Sequence, residues 1–255
     1  QARYDLADVA TVARSADGGW ALNGRKAVVL HGDSADRLIV SARTAGAQRE
    51  TSGISLFLVD AKAAGVTVQG YPTVDGLRAA EIELQDVKVG PDALIGEKDR
   101  ALPIVEQAID AGIAAVAAEA VGAMTAMHEI TVDYLRTRKQ FGVAIGSFQA
   151  LQHRAVDMLV ALEQARSMAY LATMMAEEAD AAERRRAISA AKVQIGRSVR
   201  FVGQQSIQLH GGIGMTMEYK IGHYFKRVSM IDTLFGDADH HLALVARVGG
   251  LVDPI

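Results

Sequence analysis

LPIVEQAIDAGIAAVAAEAVGAMTAMHEITVDYLRTR, residues 102–138, is the stretch that decides the fold. Its apolar residues recur with a period of about 3.6, which places them on one face of an α-helix. This stripe consists of Val105, Ile109, Ile113, Val116, Ala120, Met124 and Met127. A helix of this length would be roughly 50 Å long at 1.5 Å per residue. The stretch therefore predicts one long helix with a continuous apolar face.

Three more helical segments are expected after it. A second apolar stripe lies in residues 148–162, and the hydroxyl of Ser147 could cap that helix. A third lies in residues 188–202 and is stopped by the Gly211-Gly212 pair. Asp237 could cap a last helix. Long helices joined by short turns, rich in Ala and Met, are typical of an antiparallel four-helix bundle.

The part of the chain before the first helix shows a different pattern. Apolar and polar residues alternate there, and Asn23-Gly24 is a strong signal for a two-residue hairpin turn. Further strands are expected at residues 25–30, 38–42, 54–59, 66–69 and 80–89. This spacing predicts a small antiparallel β-barrel or sandwich. The fold class is thus α+β, with a β-domain at 1–98 and a helical bundle domain at 99–255.

Composition excludes several classes of function. The net charge is −3, from 27 basic and 30 acidic residues, which gives no reason to expect nucleic acid or an anionic membrane as a partner. The chain has no cysteine, so disulfides, thiolate chemistry and cysteine zinc sites are excluded. No apolar run approaches the roughly 18 residues of a membrane span. We expect the Gln-Ala-Arg start to be a truncated or processed end, and a cytoplasmic protein.

Generic catalytic motifs are missing from the sequence. It contains no GxSxG, HExxH or GxxxxGK[ST] motif and no His/Asp cluster with metal-ligand spacing. His240 and His241 are adjacent on a predicted helix, where neighbouring side chains point about 100° apart. We therefore expect them to be surface or partly buried histidines, and we expect no metal site.

Two segments could carry function. The first is RKQFG, residues 138–142, whose basic pair favourably meets the negative end of a helix dipole. Alternatively, Arg138 grips a pyrophosphate through paired hydrogen bonds. The second is QLHGGIG, residues 208–214, whose glycines could form a helix cap and turn. Alternatively, they let a ligand approach the bare backbone beside the amide of Gln208.

Taken together, the two segments resemble the acyl-CoA dehydrogenase family. The matching stretches are TRKQFGVAIGSFQALQHRAVDM (137–158) and QLHGGIGMTMEYKIGHYFKR (208–227), with NGRKAVVLHGDSAD (23–36) and LQDVKVGPDALIGE (84–97). The resemblance covers the family's middle β-domain and its C-terminal helical domain. The family's N-terminal helical domain and the first flavin-facing β-segment are expected to be absent from this chain.

The resemblance implies a flavin-dependent oxidation of an acyl-CoA thioester. FAD lies at a dimer interface, a carboxylate removes the α-proton, and the β-hydride passes to the flavin. Carried over by position, the FAD of a neighbouring subunit would be contacted by Arg138, Gln140, Phe141, Gln208, Gly211 and Gly212. Phe141 would pack against the flavin or the adenine portion of that FAD. The implied electron acceptor is an electron-transfer flavoprotein.

The sequence departs from the family at the residues that do the chemistry. Phe235 occupies the position of the usual catalytic Glu, and phenylalanine cannot accept a proton. The alternative Glu position, on the first bundle helix, aligns with Gly112. In the β-domain, Val28 and Leu30 replace a flavin-facing Trp and Thr.

Three hypotheses follow from these departures. The chain is expected to form a homo- or hetero-oligomer, a dimer or tetramer. In the first hypothesis, it is the non-catalytic partner of a Glu-bearing subunit in a heteromeric enzyme. LFGDADHH (234–241) resembles the small subunit of pimeloyl-CoA, or dicarboxylyl-CoA, dehydrogenases. In the second, the chain is catalytic with a displaced base, for which Asp237, Asp239 and Asp110 are candidates, although Asp237 is also placed to cap a helix. In the third, it is a flavin-free scaffold that keeps the fold for assembly.

Overall fold

The computed structural model describes residues 3–249. The chain divides into two compact units, a β-unit of residues 1–106 and a helical unit of residues 107–255. The sequence-based domain boundary between residues 98 and 99 stays a prediction.

The β-unit is built on one seven-stranded sheet. Its strands are β1 (Val12–Ala16), β2 (Gly19–Leu30), β3 (Arg37–Arg43), β4 (Ile54–Asp60), β5 (Val66–Pro72), β6 (Arg78–Val89) and β7 (Leu94–Ile95). They lie in the order β5-β6-β2-β1-β3-β4-β7. Neighbours are antiparallel except β1 and β3, which share one parallel pair, Val12 with Arg43. The predicted antiparallel β-domain is confirmed.

The strands of this sheet bury the apolar positions that alternate along them. Leu22, Phe57 and Val87 are fully buried, and the ring of Trp20 lies 5.3 Å from that of Phe57. The fully or nearly fully buried members are Ala13, Leu22, Leu38, Val40, Ala42, Phe57, Val59, Ala80, Ile82, Leu84 and Val87. Burial of this apolar face is the main free-energy gain that holds the sheet together.

The hairpin predicted at Asn23-Gly24 is wrong. The tight turn falls at Asp17-Gly18, whose φ angles of 49° and 80° suit a primed hairpin turn. Asn23 and Gly24 lie inside β2, at a register shift opposite β6. A Cβ on Gly24 would come within 2.7 Å of Thr11, so glycine is required there by close packing. Both dipeptides carry the same turn signal, and the pairing of β1 with β2 selects the earlier one.

From residue 102 to the end of the described part at residue 249, the chain forms five α-helices and a short hairpin. The elements are α1 (Leu102–Thr137), β8 (Lys139–Gln140), β9 (Val143–Ala144), α2 (Gln149–Met175), α3 (Ala181–His210), α4 (Lys220–Thr233) and α5 (Ala238–Val248). The predicted helical bundle is confirmed. The α4 helix was not predicted, although its buried Ile221, Val228 and Ile231 have helical spacing. The predicted Ser147 cap is wrong, because the Ser147 hydroxyl donates to the Ala144 carbonyl instead.

The bundle core is formed by residues of the first four helices. It includes Met124 and Met127 of α1, Met158 and Leu162 of α2, and Ile195 of α3, each at most 2% exposed. Within residues 3–249, α1 alone has the length and apolar composition that a membrane span would need. This is weak evidence for a span, since a core helix of a water-soluble protein passes the same test.

Candidate functional site

The segment after α1 is a tight, exposed hairpin. The Arg138 N–H donates to the Tyr134 carbonyl at 2.8 Å, so the chain leaves α1 directly before the basic pair. Phe141 and Gly142 form the turn between β8 and β9, with φ angles of 52° and 78°. The Phe141 side chain is 90% exposed. Within residues 3–249, the exposed Arg138 guanidinium has no hydrogen-bond or ion-pair partner. Its five donors are therefore available to a ligand.

The end of α3 exposes bare backbone beside an exposed amide. Gly211 ends the helix with φ 62° and donates to the carbonyl of Gln208. A Cβ added at Gly211 or Gly212 would meet no atom within 4 Å. Internal packing therefore does not require these glycines, although the positive φ favours glycine at 211. Gln208 is exposed beside this open backbone.

An aromatic cluster joins the ends of α1 and α3. The ring of His210 stacks on Tyr134 at 4.5 Å and packs against Tyr219 at 5.1 Å. Since Tyr134 and His210 belong to the last turns of their helices, the segments 138–142 and 208–212 lie at one end of the bundle. We call these two segments the binding end. The structure thus brings the six predicted cofactor residues to the same end of the helical unit.

His210 was not predicted as part of this site. Its Nδ1 lies 2.8 Å from the Ser206 carbonyl, and because a carbonyl can only accept, Nδ1 carries the proton. Nε2 is then an acceptor, and it is buried without a partner within the part of the chain that the structure describes. Burial lowers the pKa of the imidazole, which keeps it neutral at pH 7. The sequence feature that could have indicated His210 is its position directly before Gly211-Gly212 at the end of a predicted helix.

The two positions at which the sequence resemblance predicts a base, Phe235 and Gly112, face each other in the helical unit. Phe235 lies in the loop between α4 and α5 and has φ 59°. A Cβ on Gly112 would lie 3.0 Å from Cε2 and 3.1 Å from Cζ of the Phe235 ring. The ring therefore packs directly on the bare backbone of α1. Neither position carries a group that can accept a proton.

Of the three aspartates considered as displaced bases, Asp237 and Asp110 are engaged in other interactions. Asp237 caps α5 by accepting the His240 N–H at 2.9 Å. Asp110 is 1% exposed and lies 3.0 Å from Arg184 and 3.4 Å from Arg185. Asp110 is thus engaged in buried ion pairs with both arginines. Asp239 is exposed in the first turn of α5.

Behind this loop, the structure reveals a buried polar group that the sequence interpretation missed. His241 was expected to be at the surface or partly buried, and that expectation is wrong, because the residue is only 3% exposed. Its ring lies 3.1 Å from the Ser189 hydroxyl and 3.0 Å from the Phe235 carbonyl. Lys192 is fully buried and donates to the carbonyls at the end of α4. Burial lowers the pKa of Lys192 to about 8.

The binding end and the Phe235 loop lie far apart within this chain. Gly112, against which Phe235 packs, precedes Arg138 along α1 by 26 positions. At 1.5 Å per residue this is a separation of about 39 Å. No single reacting centre of this chain can contact both groups of residues. The candidate site is thus two sites, separated along α1 by about 39 Å.

The β-unit carries the two remaining sequence departures. Val28 has φ 53°, is 56% exposed, and donates its N–H to Glu81 at 3.2 Å. Leu30 is 39% exposed. Neither side chain offers the hydrogen bond that a threonine would. Lys26, on the same strand, bonds the Ser41 hydroxyl, and burial lowers its pKa to about 8.

Known proteins share this combination of units. Residues 1–87 match the family model of the acyl-CoA dehydrogenase middle domain, and residues 102–250 match that of the acyl-CoA dehydrogenase C-terminal domain. The 3-(aryl)acrylate reductase of Clostridium sporogenes is 30% identical over 246 residues, which are 95% of this chain and 64% of the reductase. The chain therefore spans less than two thirds of the length of this relative.

Two solved structures show the same fold. One, a variant of the Tcur3481-Tcur3483 steroid ACAD, is 32% identical with a TM-score of 0.82, covering 97% of this chain and 64% of that one. The other, PigA with FAD and proline, is 27% identical with a TM-score of 0.90, covering 98% and 66%. The family model of the C-terminal domain by itself matches more than half of this chain, and the chain therefore belongs to the acyl-CoA dehydrogenase family.

Proposed function

We propose that this chain is the non-catalytic subunit of a heteromeric, FAD-dependent acyl-CoA dehydrogenase. The observation that carries this proposal is the packing of Phe235 on Gly112, since it leaves no proton acceptor at either position of the base. The binding end, in contrast, keeps an exposed cation and an exposed amide beside open backbone. A chain with this combination is suited to complete the site of a neighbour that carries the glutamate.

The residues of the binding end fit the phosphates of FAD. Arg138 offers a planar guanidinium that can bind two phosphate oxygens at once. Gln208 offers an amide, and the backbone at Gly211 and Gly212 can be approached without a side chain intervening. Gln140 and the exposed ring of Phe141 extend this surface. When bound, FAD supplies the acceptor for a hydride.

The FAD that this end would bind belongs to a neighbouring chain. The support is the separation of about 39 Å along α1 between the binding end and the Phe235 loop. Residues so far apart serve two different centres. The solved structure of PigA contains FAD. The steroid ACAD is named as a pair of proteins, Tcur3481-Tcur3483, which agrees with an FAD site shared between two different chains.

The substrate we propose is an acyl-CoA thioester, with a dicarboxylyl-CoA such as pimeloyl-CoA as the specific candidate. This choice rests on the resemblance of residues 234–241 to a small subunit of that class. We propose dehydrogenation as the direction, an electron-transfer flavoprotein as the acceptor, and the cytoplasm as the location. One relative is a reductase, so measuring both directions on the assembled enzyme separates these activities.

Replacing Arg138 with alanine tests the proposal. A charge-assisted hydrogen bond contributes about 1.5–3 kcal/mol, so the variant should weaken FAD binding by the assembly roughly ten- to a hundredfold. The measurement is flavin absorbance retained after gel filtration of this chain with its Glu-bearing partner.

Arg136→Ala is the matched control. Arg136 is also exposed and lies two residues earlier, in the last turn of α1. Its loss should leave flavin content unchanged. Equal flavin content in wild type and Arg138→Ala would contradict the assignment of the binding end.

A further inference from the structure

The loop between α4 and α5 is fixed from behind by side chains of α3. The fully buried ammonium of Lys192 donates to the Ile231 carbonyl at 2.9 Å and to the Asp232 carbonyl at 2.8 Å. These are carbonyls of the last turn of α4, which lack partners within their own helix. Lys192 therefore anchors the residues that lead into the loop.

His241 anchors the loop at Phe235 itself. Its Nε2 lies 3.0 Å from the Phe235 carbonyl, which can only accept, so Nε2 carries the proton. Nδ1 then has a free lone pair and accepts from the Ser189 hydroxyl at 3.1 Å. The tautomer follows from these two partners. Ser189, His241 and Phe235 thus form a directed chain of hydrogen bonds inside the helical unit.

These contacts hold Phe235 in an unfavourable backbone conformation. A φ of 59° is rare for an aromatic residue, and such residues persist only where the surroundings fix them. The next residue, Gly236, has φ 110° and is buried, and a Cβ there would lie 2.6 Å from Nε2 of His241. Glycine at 236 lets the imidazole come close enough to bond the Phe235 carbonyl.

The ring so positioned meets a helix that has no side chain at the contact. Its Cε2 and Cζ atoms would be 3.0 and 3.1 Å from a Cβ on Gly112, so even alanine at 112 would force the ring to move. Phe235 and Gly112 therefore fit each other as a pair. A loss of the base alone would not require this fit, since a small polar residue at 235 would also abolish proton transfer.

We infer that Phe235 and Gly112 form a plug that keeps an acyl thioester out of this chain's own substrate position, and that His241 is the positioning residue that holds the plug. This inference rests on the proposed function and makes it more specific. A subunit that had lost only its base would still bind substrate. A plugged subunit binds none, so the assembly holds one acyl-CoA for each pair of subunits.

Binding stoichiometry tests the plug. The probe is a 3-thiaacyl-CoA, a thioester whose β-carbon is replaced by sulfur so that it cannot be dehydrogenated. Equilibrium dialysis of the assembly with its Glu-bearing partner should give one bound ligand per pair. Phe235→Ala, which removes the ring, should raise the value to two. Leu234→Ala removes similar bulk from the same loop and should leave it at one.

His241→Gln tests the positioning role with the same measurement. Without the imidazole the loop is no longer held, and a second ligand should bind, more weakly than in Phe235→Ala. If Phe235→Ala does not fold, Phe235→Leu serves instead, because leucine lacks the Cε2 and Cζ atoms that face Gly112.

The other outcomes are decisive as well. Two ligands per wild-type pair, or one ligand per pair in folded Phe235→Ala, would overturn the plug. No ligand on wild type but one on Phe235→Ala would support the plug and contradict the proposed function. No ligand on any variant would overturn both.

Discussion

At the scale of single residues, the buried imidazole of His241 makes the fold sensitive to acid. Its pKa is lowered from 6.5 to about 4, mainly by burial and also by the nearby charges of His240, Lys192 and Arg185, while the hydrogen bond to the Phe235 carbonyl opposes this shift. The folded state therefore binds this proton less readily than the unfolded state. The stability is fully present above pH 6.5 and is lost as the pH falls toward 4, by on the order of 3 kcal/mol.

Urea unfolding at several pH values measures this effect. We expect His241→Gln to lose less unfolding free energy than wild type between pH 6.5 and 4. The matched control is His153→Gln, at an exposed position of α2, which should keep the wild-type pH dependence. An unchanged slope in His241→Gln would show that another group titrates.

The residue types at positions 235 and 112 are read directly from the sequence, but their surroundings could not be predicted. That these are the positions of a missing base stays a prediction, which rests on the alignment of the flanking residues with the family. The contact between Phe235 and Gly112 joins positions 123 residues apart in the chain, and no local pattern indicates it. His241 was misjudged for the same reason, since its burial depends on Ser189 of another helix.

At the scale of elements, substitutions of Asp237 at the start of α5 distinguish a helix-capping role of this residue from a catalytic one. The Asp237 side chain accepts the His240 N–H, and asparagine caps a helix about as well as aspartate. Asp237→Asn should therefore keep both the thermal midpoint and the turnover of the assembly. Asp237→Ala should lower stability by about 1 kcal/mol, as measured by circular dichroism. Loss of turnover in folded Asp237→Asn would instead identify Asp237 as the base.

Elements with long regular patterns were predicted well, and short or polar ones were not. The α1 helix begins at Leu102 as expected, because its apolar stripe from Val105 to Met127 persists for about six turns. The strands β3 and β4 were likewise found from their apolar runs. The α4 helix was missed because charged and aromatic residues interrupt its buried positions. The β2 strand was split because a local turn signal was given more weight than its pairing with β6.

At the scale of the whole molecule, the two functional ends have opposite character. The binding end presents Arg138, Gln208 and an aromatic ring to the outside, whereas the Phe235 loop is closed against α1 and anchored by buried hydrogen bonds. Within residues 3–249 the exposed Arg138 guanidinium has no partner, and arginine and aromatic residues are enriched at protein interfaces. The organisation of the helical unit thus agrees with the proposed role as one subunit of an assembly.

The visible spectrum of the purified chain, by itself and with its partner, tests that organisation. Since the binding end supplies only part of an FAD site, the chain without a partner should be colourless. Mixing it with the Glu-bearing subunit and FAD should give a stable yellow complex whose flavin is bleached by acyl-CoA. Phe235→Ala should bind flavin like wild type, because residue 235 lies about 39 Å from the binding end along α1. A chain that is yellow and is bleached without a partner would instead be a complete enzyme, and one that never restores flavin binding would be a scaffold.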